Sequence, residues 1–196
     1  MILDTVINKK SISIFNNKKL KDEFNPRVYF ENRIPGRHPN SDANHASKLL
    51  PLIHEYAISE TFTIAEGFQT EMLNTKEYLN SLEDFLFRGG KFRAIFRNPE
   101  TMNQDIKNKL ISLKEQLSDQ ISIKKTSRKV NISSGSGTLY KNINFAFNDS
   151  SCFRIELDQQ KNIGIWGAYD PLLISELTDI FEIVWNHSDT KEYTLS

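Results

Sequence analysis

The order of helix and strand patterns over residues 58–127 limits the possible folds more than any other feature of the chain. Some segments have apolar residues at every second position, which is typical of strands. Between them lie segments whose apolar residues recur every three or four positions, which is typical of helices. This order predicts β-α-β-α-β, with strands at residues 58–67, 91–98 and 120–127. Strands joined through helices run parallel and are covered on both faces. We therefore expect an α/β fold with a parallel core.

The end of the chain adds strands in another arrangement. Alternating segments at residues 142–148, 152–157 and 161–166 follow one another closely, as in an antiparallel meander. Asp170 then precedes Pro171, a pair that caps and starts a helix. The prediction is a mixed β-sheet whose parallel core is flanked by helices.

The first 45 residues are less regular. Residues 11–15 and 26–31 each have the pattern of a strand, whereas residues 32–45 are rich in Pro, Gly, Asn, Asp and Ser and predict a loop. A helix from Ala46, with Pro51 near its first turn, begins the main domain. We therefore divide the chain into an N-terminal arm and loop (1–45) and an α/β domain (46–196). Residues 133–138 predict a flexible turn.

Charge is balanced overall but not along the chain. Residues 88–130 carry eleven Lys/Arg and four Asp/Glu, whereas residues 149–196 carry three Lys/Arg and nine Asp/Glu. The basic stretch can bind nucleic acid, with Lys124, Lys125, Arg128 and Lys129 as the candidate contacts. It can equally be a solvated face, or a surface on which the acidic end of a second subunit docks.

The composition argues against several classes of protein. The single cysteine, Cys152, excludes an internal disulfide and a cysteine metal cluster. The sequence has no apolar run of the length that a membrane helix needs and no pattern of a signal peptide. We expect a cytoplasmic protein that needs no cofactor. The four histidines match neither a zinc spacing nor a nucleophile arrangement, so no metal ligand or catalytic residue is predicted.

Three groups of residues are candidates for ligand binding. Glu66 lies at the carboxyl end of a predicted parallel strand, where ligands gather in such sheets, although it can also be an exposed loop acid. Asn142 and Asn144 alternate on one side of a strand and offer amide groups, unless that side is only solvated. Arg154 and Glu156 also share one side of their strand, so they can bind a ligand or form an ion pair with each other.

From residue 58 onward, the order of elements resembles that of the phospholipase D-like superfamily, over about 130 residues. The stretch "YLNSLEDFLFRGGKFRAIFRNPE" is similar to that family's helix, double glycine and parallel strand. The family signature H-x-K-x-x-x-x-D falls on "NINFAFND". Its His position is then Asn142, its Lys position is Asn144, and its Asp is Asp149. Arg154 and Glu156 resemble an Arg-x-Glu that members without catalysis often keep.

The resemblance implies what this chain does and does not do. The family's histidine attacks phosphorus, and an asparagine cannot replace it because its amide nitrogen lone pair is delocalised. The resemblance therefore implies a non-catalytic sensor or regulatory domain, in a homodimer, that binds a ligand or a protein partner through Asn142, Asn144, Asp149, Arg154, Glu156 and Glu66. Two alternatives stay open. One is a metal-dependent nuclease or phosphodiesterase with Glu66 and Asp149 as ligands, and the other is a protein that binds nucleic acid through the basic stretch.

Overall fold

The computed structural model describes residues 5–8, 25–40, 43–68, 76–133, 139–150, 152–158 and 163–195. The α-helices in this part of the chain are α1 (Arg27–Glu31), α2 (Ala43–Glu55), α3 (Lys76–Phe87), α4 (Gln104–Gln116) and α5 (Pro171–Trp185). The strands are β1 (Thr5–Asn8), β2 (Gly36–Asn40), β3 (Glu60–Ala65), β4 (Lys91–Phe96), β5 (Ile121–Lys125), β6 (Val130–Ser133), β7 (Leu139–Tyr140), β8 (Asn144–Asn148), β9 (Phe153–Asp158), β10 (Ile163–Ala168) and β11 (Lys191–Glu192).

The main sheet has a parallel core, as predicted. Its eight described strands lie in the order β11-β5-β4-β3-β8-β9-β10-β2. Strands β3, β4 and β5 are parallel, with α3 and α4 as the connections between them. Strand β8 then joins β3 in the antiparallel sense, and β9, β10 and β2 continue the antiparallel order. The predicted mixed α/β sheet with a β-α-β-α-β core is therefore confirmed.

Both faces of the sheet are buried. On one face, Phe62 and Phe147 stack at a centroid distance of 4.7 Å and contact Phe181 of α5. On the other face, Phe92 and Phe96 lie among the apolar side chains of α3 and α4. Coverage on both faces explains why β3, β4 and β8 are more continuously apolar than a half-exposed strand would be. A smaller sheet, β1-β6-β7, packs with α5 through β6 and β7.

Helix ends follow the signals in the sequence. The Asp170 carboxylate accepts a hydrogen bond from the Leu173 amide at 3.0 Å, so the predicted cap of α5 is confirmed. The Asn103 side chain caps α4 in the same way by accepting from the Asp105 amide at 2.9 Å. Each cap satisfies an amide that has no partner within its own helix.

Several predictions near the N-terminus are wrong. Residues 27–31 form helix α1 instead of a strand, and β2 lies inside the predicted loop 32–45, where it pairs with β10. Helix α2 begins at Ala43, so Pro51 lies in its interior. Local residue preferences did not reveal these elements because long-range packing stabilises them: Phe30 of α1 lies in one apolar cluster with Trp166 of β10, and His38 of β2 contacts the same ring. The predicted strand at residues 11–15 and nearly all of the predicted turn at 133–138 lie outside the described residues.

In the part of the chain that the structure describes, no helix has both the length and the apolar character that crossing a membrane requires.

Candidate functional site

A chain of polar side chains connects the ends of four neighbouring strands. Arg97, just after β4, donates from Nε to Glu66 Oε2 at 3.0 Å and from Nη2 to the Asn144 side-chain oxygen. The Asn144 amide nitrogen donates to Glu156 Oε2 at 2.7 Å, and Arg154 Nη2 donates to Glu156 Oε1 at 3.2 Å. We call these five side chains the polar network. It brings together four of the six predicted ligand-binding residues.

The polar network is mostly buried and its charges are balanced. Side-chain exposure is 5% for Arg97, 7% for Arg154 and 7% for Glu156, against 37% for Glu66. Burial lowers the pKa of Arg97 from its usual value, and the hydrogen bond to Glu66 opposes that effect. Two guanidinium groups face two carboxylates, so each buried charge has an opposite charge beside it. Glu66 and the half-buried Asn144 form the accessible rim.

Backbone geometry after β3 and β4 places Glu66 beside Arg97. The Arg97 amide donates to the Ala65 carbonyl at 3.0 Å, which extends the β3–β4 pairing past the last strand residues. Gly67 follows at a point where a Cβ atom would collide with the Asn98 carbonyl oxygen. Glycine is therefore required for this close approach of two chain segments. The segment that approaches closely beside Glu66 is therefore the β4 exit.

Asn142 is not part of the polar network. It precedes β8, which begins at Asn144, and its φ of 53° lies in the left-handed region that asparagine tolerates. Its backbone amide donates to the Asn131 side chain at 2.9 Å. The prediction that Asn142 lies on a strand with Asn144 is wrong because the chain turns at this residue. The alternation of strand side chains therefore does not apply to it.

Asp149 lies at the other end of the sheet. Its carboxylate accepts hydrogen bonds from the amides of Ile58, Ser59 and Glu60 at 2.7–3.0 Å and from the Ser59 hydroxyl at 2.7 Å. These donors surround the start of β3, whereas Glu66 follows its end, a strand length of about 20 Å. Asp149 thus holds the entry to β3 and does not reach the polar network.

The geometry contradicts the predicted pairing of Glu66 and Asp149 as metal ligands, because the two carboxylates lie at opposite ends of β3. Among the described residues, no group of three or more His, Cys, Asp or Glu side chains is arranged to hold a metal ion. The alternative of a nuclease with a rebuilt metal site at these two residues is therefore wrong.

Arg154 and Glu156 form the ion pair that their spacing allowed. Both lie on β9 and face the same side of the sheet, and the pair is buried. Arg154 Nε is buried and has no hydrogen-bond partner among the described residues. Glu156 also accepts from Asn144, so one carboxylate joins β8 to β9.

The sequence reasoning missed two important polar residues. Arg97 connects Glu66 to Asn144. Its position directly after β4, which matches that of Glu66 after β3, is the sequence feature that could have predicted its place beside Glu66. Asn148 is fully buried, donates to the Ile53 carbonyl at 2.8 Å and accepts from the Cys152 amide at 2.8 Å. Asn148 thus ties the β8–β9 turn to α2. The turn-forming sequence around it was a signal that its side chain bonds backbone groups.

The four basic candidates for nucleic-acid binding are largely engaged by acids of the same chain. Lys124 lies 3.4 Å from Glu192, Arg128 lies 3.4 Å from Asp189, and Lys125 pairs with Glu100. Lys129 is exposed. The acidic end of this chain therefore docks on its own basic stretch, which is the contact that the sequence analysis considered for a second subunit.

His54 and Cys152 are buried and unsuited to catalysis at neutral pH. Burial lowers the pKa of His54 to about 3, with a smaller contribution from the charge of Arg88. Burial raises the pKa of the Cys152 thiol to about 12, so a reactive thiolate does not form near neutral pH. Cys152 is buried and acts as a small apolar side chain in the core.

Comparison with known proteins identifies the fold. The sequence matches no protein-family model, and no curated protein is significantly similar to it. The archaeal chromatin protein TrmBL2, whose structure shows a novel mode of DNA binding, superposes with a TM-score of 0.56 and 8% identity. The match covers 80% of this chain and 53% of TrmBL2, so the chain spans about half of that protein.

Nuc from Salmonella typhimurium, a phospholipase D family member, superposes with a TM-score of 0.52 and 10% identity. That match covers 81% of this chain and 98% of Nuc. Phosphatidylserine synthase from Haemophilus influenzae gives a TM-score of 0.53 at 8% identity, over 82% of this chain and 40% of the synthase. This chain has a phospholipase D-like fold.

Proposed function

We propose that this chain is a non-catalytic domain of phospholipase D-like fold that binds a ligand or a protein partner in a sensing or regulatory role. The main support for the proposal is the hydrogen bonding of Asn144, the residue that falls on the Lys position of the family signature. Both ends of its side-chain amide are bonded within the polar network. A cation that would hold phosphoryl oxygens is thus replaced by a neutral group that connects Arg97 to Glu156.

The chemistry of the five side chains supports the absence of family catalysis. None of them is a histidine, and Asn142, at the signature His position, is an amide without a nucleophilic nitrogen. Both arginines in the network face carboxylates, which reduces their ability to stabilise the charge of a phosphoryl transition state. By this account the place of the signature was kept and its catalytic groups were lost.

The rim of the network supports a binding role. The Glu66 side chain is 37% exposed and Asn144 is half-buried, so a ligand can reach both. A carboxylate and a neutral amide suit a ligand that carries hydroxyl, amide or base groups rather than a dianion. The buried Arg154–Glu156 pair holds Asn144 in place, because Glu156 accepts a hydrogen bond from the Asn144 amide.

The test is a thermal-shift screen of sugars, nucleosides and small amides on the wild type and on Glu66→Gln. The proposal predicts a compound that raises the melting temperature of the wild type and has a weaker effect on Glu66→Gln. Glu83→Gln is the matched control because it removes a carboxylate of similar exposure, 31%, that pairs with Lys109 on the α3–α4 surface. A compound that stabilises all three proteins equally would place binding away from the network and contradict this part of the proposal.

A further inference from the structure

At the edge of the main sheet formed by β5 and the short β11, a row of cations has counter-charges that come from two other parts of the chain. Lys124 and Lys125 end β5, and Arg128 and Lys129 follow within four residues. Glu192 of β11 lies 3.4 Å from Lys124, and Asp189 lies 3.4 Å from Arg128. Glu100, from the turn after β4, pairs with Lys125. We call the four cations the basic edge and the three carboxylates the acidic cover.

Two of the four cations, Lys124 and Arg128, are more buried than the acids that pair with them. Side-chain exposure is 17% for Lys124 and 11% for Arg128, against 74% for Glu192 and 60% for Asp189. The Lys124 ammonium also donates to the Trp185 carbonyl at 3.2 Å and lies 4.4 Å from the centre of the Trp185 ring. Lys124 and Arg128 are therefore fixed by the fold, whereas the two carboxylates opposite them are mostly in water. Lys125, with 44% of its side chain exposed, and the exposed Lys129 are the more accessible cations of the basic edge.

Ion pairs whose acidic member is this exposed are weak and are screened by salt. A phosphate oxygen accepts hydrogen bonds from Lys and Arg at least as well as a carboxylate does, and it can take the place of an exposed carboxylate without moving the cation. A phosphodiester chain presents many such oxygens at regular intervals and gains from releasing its counterions.

We propose that the basic edge binds the phosphodiester backbone of a nucleic acid and that the acidic cover is an intramolecular competitor that weakens this binding. The inference goes beyond the proposed function, because the basic edge shares no residue with the polar network.

An acidic protein strand is the less suitable partner. The backbone of β5 is already paired with β11, and the Tyr193 amide donates to the Ile123 carbonyl at 2.9 Å. A partner strand would have to displace β11 before it paired with β5. A phosphate backbone needs only the side chains, and these are accessible along the edge once the carboxylates move.

The experiment measures fluorescence anisotropy of labelled oligonucleotides of about 20 nucleotides, single- and double-stranded, from about 50 to about 200 mM salt. EDTA is present to prevent metal-dependent hydrolysis, and gel electrophoresis of the oligonucleotide after each titration checks that it is intact, so failure of the proposed function is distinguished from failure of this proposal. The test variant combines Glu100→Gln, Asp189→Asn and Glu192→Gln. The control combines Glu55→Gln, Glu83→Gln and Glu115→Gln, which changes the net charge equally on other surfaces.

We expect the test variant to bind at least about tenfold more tightly than the control, with a salt slope steeper by about two to three. Adding Lys129→Gln and Arg128→Gln to the test variant should reverse the gain. Circular dichroism and melting curves confirm that each variant is folded. A second measurement compares the wild type with the single variant Lys129→Glu. This variant should weaken the binding that the wild type shows at low salt.

Three results would overturn the proposal. The first is equal binding by the test and control variants, since the gain would then reflect net charge alone. The second is no binding by the test variant at low salt. The third is competition by polyglutamate as effective as competition by the oligonucleotide, which would favour an acidic protein partner.

Discussion

Arg97 is the residue on which the polar network depends. It donates to Glu66, to Asn144 and, at 3.2 Å, to the Ile143 carbonyl. Only 5% of its side chain is exposed. A buried charge of this kind is costly unless it is paired, and the groups that pair with it are costly when it is removed. The chain therefore tolerates this arginine only together with its partners.

Arg97→Met should lower the free energy of unfolding by about 3 kcal/mol, because Glu66 and Asn144 lose their donor and the Ile143 carbonyl loses one partner. Urea denaturation followed by circular dichroism measures the change. Lys109→Met is the control, since Lys109 forms a surface pair with Glu83 at 2.6 Å and should cost less than about 1 kcal/mol. Equal losses in the two variants would show that the network does not depend on Arg97.

His54 connects protonation to stability. Its ring lies among Tyr78, Phe85 and Phe92, and its Nδ1 has no hydrogen-bond partner among the described residues. The folded state holds the imidazole neutral with a pKa of about 3, whereas the unfolded chain takes up a proton near pH 6.5. The unfolded state therefore binds more protons between these values, and stability falls as the pH falls below about 6.5.

His54→Phe should reduce the acid sensitivity of the fold. Between pH 7 and pH 5 we expect the wild type to lose about 2 kcal/mol more unfolding free energy than the variant loses, because the variant has no imidazole to protonate. Urea denaturation at the two pH values measures this difference. The prediction fails if both proteins lose the same amount, which would mean that His54 titrates alike in the folded and unfolded states.

Residue-level prediction succeeded where side-chain spacing on a strand decided the outcome. Arg154 and Glu156 are two apart on β9 and form a pair, as their spacing allowed. The same reasoning failed for Asn142, since a left-handed turn before β8 ends the alternation. It missed Arg97 because the contact between Arg97 and Asn144 joins residues 47 positions apart, and no local pattern records such a distance.

At the level of elements, the β8–β9 turn connects three parts of the molecule. Asn148 bonds the α2 carbonyl of Ile53, the Ser150 hydroxyl donates to the Tyr56 carbonyl, and Asp149 holds the amides before β3. Two of these three residues match no position of the family signature. Asp149 therefore has a structural role at this turn, because it bonds the amides around the start of β3.

Asp149→Ala should destabilise the fold by about 2 kcal/mol, because the amides of Ile58, Ser59 and Glu60 lose a charged acceptor. Thermal denaturation measures the effect. The control is Asp119→Ala, whose exposed carboxylate accepts only a 3.3 Å bond from the Ser118 hydroxyl among the contacts described, and it should change stability by less than about 0.5 kcal/mol. An Asp149 variant as stable as the control would contradict this structural assignment.

The elements that the sequence predicted well are those with strong periodicity. α3, α4, α5 and the parallel strands were all expected, with ends that differ from the prediction by a few residues. Helix α1 was expected as a strand because its sequence, RVYFE, has the aromatic and β-branched residues that strands favour. Strand β2 was not expected because its sequence, GRHPN, has the Gly, Pro and Asn that mark turns. Strand β2 forms because it pairs with β10. A pairing between segments so far apart in the chain leaves no periodic pattern in the local sequence.

At the level of the whole molecule, charges far apart in sequence are brought together. The acidic C-terminal stretch pairs with the basic middle through Arg93–Glu182, Lys124–Glu192 and Arg128–Asp189. The fold thus places the basic and the acidic stretch next to each other, so that their opposite charges pair locally. The sequence showed the two stretches, but only the position of β11 beside β5 shows that they meet within one chain.

The resemblance to the phospholipase D-like superfamily implies a homodimer, and this stays a prediction. Size-exclusion chromatography with light scattering should give twice the chain mass of 22.7 kDa at concentrations of about 50 μM, well above the range in which a specific dimer dissociates. Because the acidic end docks within its own chain, the dimer should persist when salt is raised. A mass of one chain at this concentration would contradict the prediction.

By the proposed function, this chain has the phospholipase D-like fold without the family's phosphodiesterase activity. A single-turnover assay with protein in excess over bis(4-nitrophenyl) phosphate or a labelled oligonucleotide tests it most directly, with EDTA and then with Mg²⁺ or Mn²⁺. Asn144→Ala, checked for folding, is the comparison. The account predicts that the wild type and Asn144→Ala both hydrolyse at the background rate of the buffer. Hydrolysis by the wild type that Asn144→Ala abolishes would contradict it.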